Sequence, residues 1–99
     1  LPIIRKYSDH VFHLFTIYHP RRDEIVKKLK ELSIETKIIY PYPIHKMNAF
    51  KKIFKNNKRL KNSEVKSKGI FCLPIYPELK DKEAIRVCKS IKRILAKIA

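Results

Sequence analysis

The stretch Ile38-Ile39-Tyr40-Pro41-Tyr42-Pro43-Ile44-His45, taken with Leu73-Pro74-Ile75-Tyr76-Pro77-Glu78-Leu79, decides how this chain folds. Proline fixes its own φ and pushes the preceding residue out of the helical region, so each segment is expected as a stiff, extended loop leaving a strand. Such loops can hold side chains at a site. Upstream, residues 10–18 (HVFHLFTIY) are rich in aromatic and branched side chains and predict a strand covered on both faces. Pro20-Arg21-Arg22-Asp23-Glu24 then opens a helix, with proline at its start and acids in its first turn, as the missing amide and the helix dipole favour. Ile25, Val26, Leu29 and Leu32 recur at helical spacing and lay one face on the sheet. The helix ends at Ser33-Ile34 without a glycine, and residues 34–39 predict a second strand.

Downstream of the paired prolines, Met47, Phe50, Ile53 and Phe54 predict a short amphipathic helix. Residues 55–58 break it, and the polar stretch to Asn62 reads as a mobile loop. Ser63-Glu64 begins another short helix, which Gly69, the chain's one glycine, is expected to terminate. Ile70-Phe71-Cys72-Leu73 is a brief strand. The last helix, residues 81–98, carries Ala84, Val87, Cys88, Ile91, Ile94, Leu95 and Ile98 on one stripe. Three strands and several helices, without repeats or low-complexity tracts, predict an α/β fold. The expected architecture is a small two-layer sandwich, a short sheet covered by helices, with one domain across residues 1–99.

With 99 residues the chain buries only about 60 to 70% of its unfolded surface, too little for a large cofactor pocket of its own. It opens on Leu1-Pro2-Ile3-Ile4 with neither a charged leader nor a cleavage site, which reads as a piece of a longer chain. No apolar run approaches the roughly 18 residues of a membrane span, so a soluble, cytoplasmic protein is expected. Lys and Arg number 24 against 9 Asp and Glu, a net charge of +15 that by itself suggests a polyanion partner. The lysines are spread over every segment, however, and a solvated surface accounts for most of them. The densest run, residues 46–68, sets Lys51, Lys52, Lys55, Lys58, Arg59 and Lys61 against a lone Glu64. Cys72 and Cys88 have no metal-ligand spacing and are expected as buried free thiols in a reducing compartment.

Conventional catalytic signatures are lacking. His10 and His13 have opposite parity on the expected strand, His19 and His45 lie in separate loops, and no cysteine cluster or H-E-x-x-H accompanies them, so no metal site is expected. No serine sits in a nucleophile elbow, and one glycine cannot build a phosphate-cradling turn. His13 reads as structural, mid-strand among core residues, and Tyr76 and Pro77 read as packing.

Six short motifs stand in register: His13-Leu14-Phe15, Arg22-Asp23, Ile34-Glu35-Thr36, Tyr40-Pro41-Tyr42-Pro43-Ile44-His45, Ser63-Glu64 and Leu73-Pro74-Ile75-Tyr76-Pro77-Glu78-Leu79. In this order the chain resembles the C-terminal part of the DegT/DnrJ/StrS sugar aminotransferases, over nearly its whole length. Two positions depart from that pattern: Ile39 stands where the family often has a histidine, and Lys66 where a helix residue is usually apolar.

The resemblance implies the small domain of a fold-type I transaminase, part of a homodimeric pyridoxal 5'-phosphate enzyme that moves an amino group, usually from glutamate, to a nucleotide-linked keto-sugar. Polysaccharide biosynthesis is one setting for such an enzyme. The Schiff-base lysine, the acid on the pyridine nitrogen and the phosphate donors that this chemistry needs come, in the family, from the larger N-terminal domain. No lysine here is assigned as catalytic. What the resemblance leaves to this chain is a wall of the substrate site, with Tyr40 and His45 as hydrogen-bond partners for sugar hydroxyls or diphosphate and Pro41 and Pro43 fixing their direction. Against these stand simpler roles, Tyr40 packed under the loop and His45 opening a helix. Two other readings of the whole chain compete: a sugar dehydratase of the same superfamily, and a small basic nucleic-acid module in which Phe50 and Phe54 stack on bases.

Overall fold

A computed structural model describes residues 1–54 and 59–99. The order of elements is β1 (Phe15–Tyr18), α1 (Arg22–Glu31), a single 3-10 turn (Ile44–Lys46), α2 (Lys61–Gly69), β2 (Ile70–Leu73) and α3 (Asp81–Ile98). The architecture is α/β, as the sequence predicts: β1 and β2 pair antiparallel, Phe15 opposite Leu73 through Tyr18 opposite Ile70. Alternation puts Ile17, Phe71 and Leu73 on one face of this ribbon. That face meets Ile25 and Leu29 of α1 and Val87, Ile94 and Ile98 of α3, which with Ile34 close the core around a fully buried Phe71. Burying a side chain of this size contributes about 1.5 to 3 kcal/mol, so Phe71 is a main anchor of a small core.

The first strand is shorter than residues 10–18 suggest. β2 ends at Leu73 because Pro74 has no amide to offer the ladder, so β1 finds partners for only four residues. Before it the chain bends: Phe12 takes a positive φ of 47°, and His13 lies exposed in the bend, not mid-strand among core residues. The expected strand over residues 34–39 shrinks to one bridge, in which Lys37 and Cys72 exchange backbone hydrogen bonds of 3.1 and 2.7 Å. Ile34 is committed to closing α1, and Tyr40 turns left-handed, so little extended chain remains between them.

α1 closes without glycine by a Schellman motif. Ser33 takes φ 56°, its amide bonds the Lys30 carbonyl, and the Ile34 amide bonds the Leu29 carbonyl, both at 2.9 Å. Ile34 and Leu29 are both buried, the apolar contact that accompanies this cap. α3 begins where its stripe predicts, with the Glu83 carboxylate accepting the Lys80 amide at 2.9 Å. Of that stripe Cys88 is exposed, whereas Cys72 is buried beside Thr16. Val87, Ile94 and Ile98 set the buried line, and Cys88 is rotated about 100° past Val87.

α2 starts at Lys61, two residues before Ser63, and ends at Gly69 for a reason other than a left-handed cap. A Cβ on Gly69 would lie 2.8 Å from the His19 carbonyl oxygen and overlap the Tyr18 ring. Glycine is needed because α2 and β1 touch backbone to backbone there, with the His19 amide bonding the Gly69 carbonyl at 3.0 Å. The amphipathic helix expected at residues 47–54 is instead a pair of turns, one closed on the Met47 carbonyl and one on Phe50. Phe50, Ile53 and Phe54 are exposed there, and a short apolar stripe without a surface to pack against does not sustain a helix. The expected break at 55–58 lies outside the described residues.

Two substitutions test this account with opposite signs. Gly69→Ala should destabilise by about 1 to 3 kcal/mol through overpacking. Ser33→Gly should stabilise by about 1 kcal/mol by relieving the positive φ. Denaturant unfolding of each variant measures both; equal stability of Gly69→Ala and the parent would show that the Tyr18 ring moves aside freely.

Candidate functional site

The paired-proline segment leaves the sheet just after the Lys37 bridge and runs along α2. Tyr40 does not continue the strand: its φ is 54°, a left-handed conformation uncommon for a bulky residue and disfavoured further by the proline that follows. Strain of this kind gathers where a side chain must be aimed. Pro43 is extended, at φ −64° and ψ 145°, and delivers the chain into the turn that holds His45. Tyr40 stands 67% exposed, so it is not packed under the loop. His45 turns inward and lies on α2.

Its partner is Glu64. His45 Nε2 is 3.2 Å from Glu64 Oε1, and the two side chains retain only 13% and 11% of their exposure. The other carboxylate oxygen, Oε2, faces Lys46 Nζ at 3.2 Å and Arg59 Nε at 3.9 Å. The hydrogen bond from His45 and then that from Lys46 hold the Glu64 carboxyl below its ordinary value of 4.5, with the charges of Lys46 and Arg59 adding to the effect and desolvation opposing it. Sequence reasoning placed Glu64 only as a helix opener. Its signal was its isolation, a single acid among the cations of residues 46–68.

Between the loop and α2 lies a cavity of about 650 Å³, within the range of small-molecule sites. Tyr40, Pro43 and His45 line it together with Tyr42, Ser63 and Lys66, so three of the four residues singled out in the loop converge on one space. Pro41 is not on its wall and acts only through the backbone of Tyr40. Lys66, at the position where the motif favours an apolar residue, places Nζ 4.0 Å from the centre of the Tyr18 ring, a cation–π contact that closes the end of α2 over β1.

Other candidates disperse. His10 Nδ1 accepts the Phe12 amide at 2.8 Å and His19 Nδ1 the Arg21 amide at 3.1 Å, so both serve local turns. Among the described residues no three His, Cys, Asp or Glu side chains gather, and no helix is long and apolar enough to cross a membrane. Tyr76 and Pro77, expected as packing, are exposed on the second proline loop.

Comparison with known proteins bears on this geometry. Residues 2–92 match the model of the DegT/DnrJ/EryC1/StrS aminotransferase family. A dTDP-3-amino-3,4,6-trideoxy-alpha-D-glucose transaminase of Micromonospora megalomicea subsp. nigra is 34% identical over 96% of the chain. A pleiotropic regulatory protein of Geobacillus stearothermophilus is 38% identical over 83%. The crystal structure of S. venezuelae DesV in complex with a ketimine intermediate superposes on 94% of the chain with a TM-score of 0.87 and 32% identity. The chain spans about a quarter of each, 26%, 22% and 25% of their lengths respectively.

The Glu64 cluster has a defined pH signature. A carboxyl held low in the folded state contributes stability that is present above its ordinary value and is lost as pH falls through its depressed one. Replacing Glu64 by Gln should therefore lower stability at neutral pH, and the difference from the parent should shrink once pH drops below 4.5. Unfolding at about pH 7 and about pH 3 measures it; a constant difference would show that the cluster does not hold the carboxylate ionised.

Proposed function

The chain belongs to the DegT/DnrJ/EryC1/StrS aminotransferase family, and from that premise we propose that it is the C-terminal domain of a longer sugar aminotransferase. In that enzyme the Tyr40 to His45 loop lines the site of a nucleotide-linked keto-sugar, and glutamate is the usual amino donor. The observation that carries the reading is the convergence of a strained, outward-facing Tyr40 and an anchored His45 on one cavity. Relatives that are transaminases of dTDP-linked amino sugars support the substrate class. The whole protein is proposed as a cytoplasmic homodimer.

The family implies pyridoxal 5'-phosphate, whose conjugated ring supplies an electron sink for the carbon that gains or loses nitrogen. The described residues of this chain do not build its cradle. None of their lysines is buried, the one glycine is pressed against Tyr18 and His19, and the most enclosed described carboxylate, Glu64, is engaged by three cationic or imidazole groups. The cofactor would be held by the remainder of the protein, and this chain's part is to bind and orient the sugar.

Tyr40 can donate its phenol hydrogen to a sugar or phosphate oxygen, and its strained backbone, locked by Pro41, aims it without a search through rotamers of the loop. His45 supplies a ring nitrogen to the same space. Apolar side chains such as Ile44 and Ile70 form part of the same cavity wall. The exposed Phe50, Ile53 and Phe54, together with the exposed Leu1, Ile3, Tyr7 and Val11, are surfaces for the remaining three quarters of the protein or a second subunit to cover. The isolated 99 residues should accordingly self-associate.

An absorbance spectrum with added pyridoxal phosphate tests the reading. The full-length parent should show the visible-edge band of lysine-bound cofactor, and the isolated chain should not. No band in the parent would favour a dehydratase or the nucleic-acid alternative. In the full-length enzyme His45→Ala should raise the KM for the sugar nucleotide about tenfold, the worth of one buried hydrogen bond to a charged or polar group. An unchanged KM would remove His45 from the substrate wall.

A further inference from the structure

The pairing of Glu64 with His45 reaches past anchoring, because it decides which imidazole nitrogen carries a hydrogen. We propose that Glu64 is a positioning residue whose carboxylate keeps a hydrogen on Nε2 of His45, so that whenever the ring carries a single hydrogen Nδ1 is left to the cavity as an acceptor for a sugar hydroxyl. This rests on the reading of that cavity as a sugar-nucleotide site.

The geometry divides the two carboxylate oxygens between two tasks. Oε1 faces His45 Nε2 at 3.2 Å, and Oε2 is taken by Lys46 and Arg59. An ionised carboxylate only accepts hydrogen bonds, so Nε2 must donate. A protonated carboxyl could instead donate to Nε2 and reverse the tautomer; the two cations on Oε2 keep that state from forming. The charged or titratable groups facing Glu64 are thus Lys46 and His45 from the loop and Arg59 from the approach to α2, with no second acid beside them among the described residues.

The other nitrogen is where a ligand would read the result. No described residue hydrogen-bonds Nδ1 of His45, whereas Nδ1 of His10 and of His19 is occupied by a backbone amide. An acceptor in a site walled by Ile44 and Ile70 favours a hydroxyl donor and rejects an analogue in which that hydroxyl is missing or methylated, because the lone pair is then left unmatched. Ser63, which precedes Glu64 on α2 and lines the same space, adds a hydroxyl that can either donate or accept.

The test uses the full-length protein with ¹⁵N-labelled histidine, His45→Gln identifying the His45 signals. The parent should show His45 with hydrogen on Nε2. In Glu64→Gln the carboxamide can donate or accept, so the signals should move toward a mixture of tautomers. Binding of dTDP-glucose or UDP-N-acetylglucosamine, measured by calorimetry, should weaken about tenfold in the same variant. His45 with hydrogen on Nδ1 in the parent, or a spectrum indifferent to Glu64→Gln, overturns the inference whatever the cavity binds. The parent spectrum needs no variant, so this holds even if Glu64→Gln folds poorly. A tautomer that responds to Glu64 while neither probe binds the parent, or while binding ignores both Glu64→Gln and His45→Gln, overturns the sugar-site reading instead.

Discussion

The second strand is the constraint on which the rest of this structure depends. Ile70–Leu73 is four residues long, and both of its ends are set by chemistry that no neighbour can relax. At one end Gly69 has room for no side chain against Tyr18 and His19; at the other Pro74 has no amide to continue the ladder. Within those bounds Phe71 fills the core, Cys72 bridges to Lys37, and β1 is trimmed to the partners available. Moving the register by one residue would turn Phe71 away from α1 and α3 and bring Cys72 to face them, exchanging the largest side chain of that face for a thiol.

From that strand the geometry of the candidate site follows. α2 runs directly into β2, so the tight contact at Gly69 also fixes where Glu64 stands, and Glu64 in turn fixes His45. The loop is held by two independent restraints, proline angles from within and a carboxylate from outside. Tyr40 is placed by the first and His45 by the second. A substitution in either can therefore disturb one side chain while sparing the other, which makes their roles separable.

The large exposed apolar side chains belong to the same logic. Phe50, Ile53 and Phe54 lie exposed on turns, and the N-terminal twelve residues present Leu1, Ile3, Tyr7 and Val11 to solvent. A chain carrying +15 of net charge repels its own copies, and at ordinary salt that repulsion is largely screened beyond about 8 to 10 Å.

Elements whose signal is local were legible in the sequence. The α3 helix of residues 81–98, the acids in the first turn of α1, and the Ile70 to Leu73 strand lie where they were expected, while Pro20 stands just outside α1, one residue before its N-cap Arg21. The six motifs in register identified the family, which the match over residues 2–92 establishes, because order along a chain is itself sequence information. What failed were expectations that needed a partner. Residues 10–14 and 34–39 have strand composition but too few ladder partners on a four-residue β2. Residues 47–54 have a helical stripe but no surface beneath it, and Cys88 lies one step off a buried line that only packing defines. Glu64 was visible as a lone acid, yet that it would meet His45, nineteen residues away in sequence, Lys46 and Arg59 at one point was decided by the fold, since only tertiary structure brings a loop and a helix close enough for a carboxylate to choose its partners.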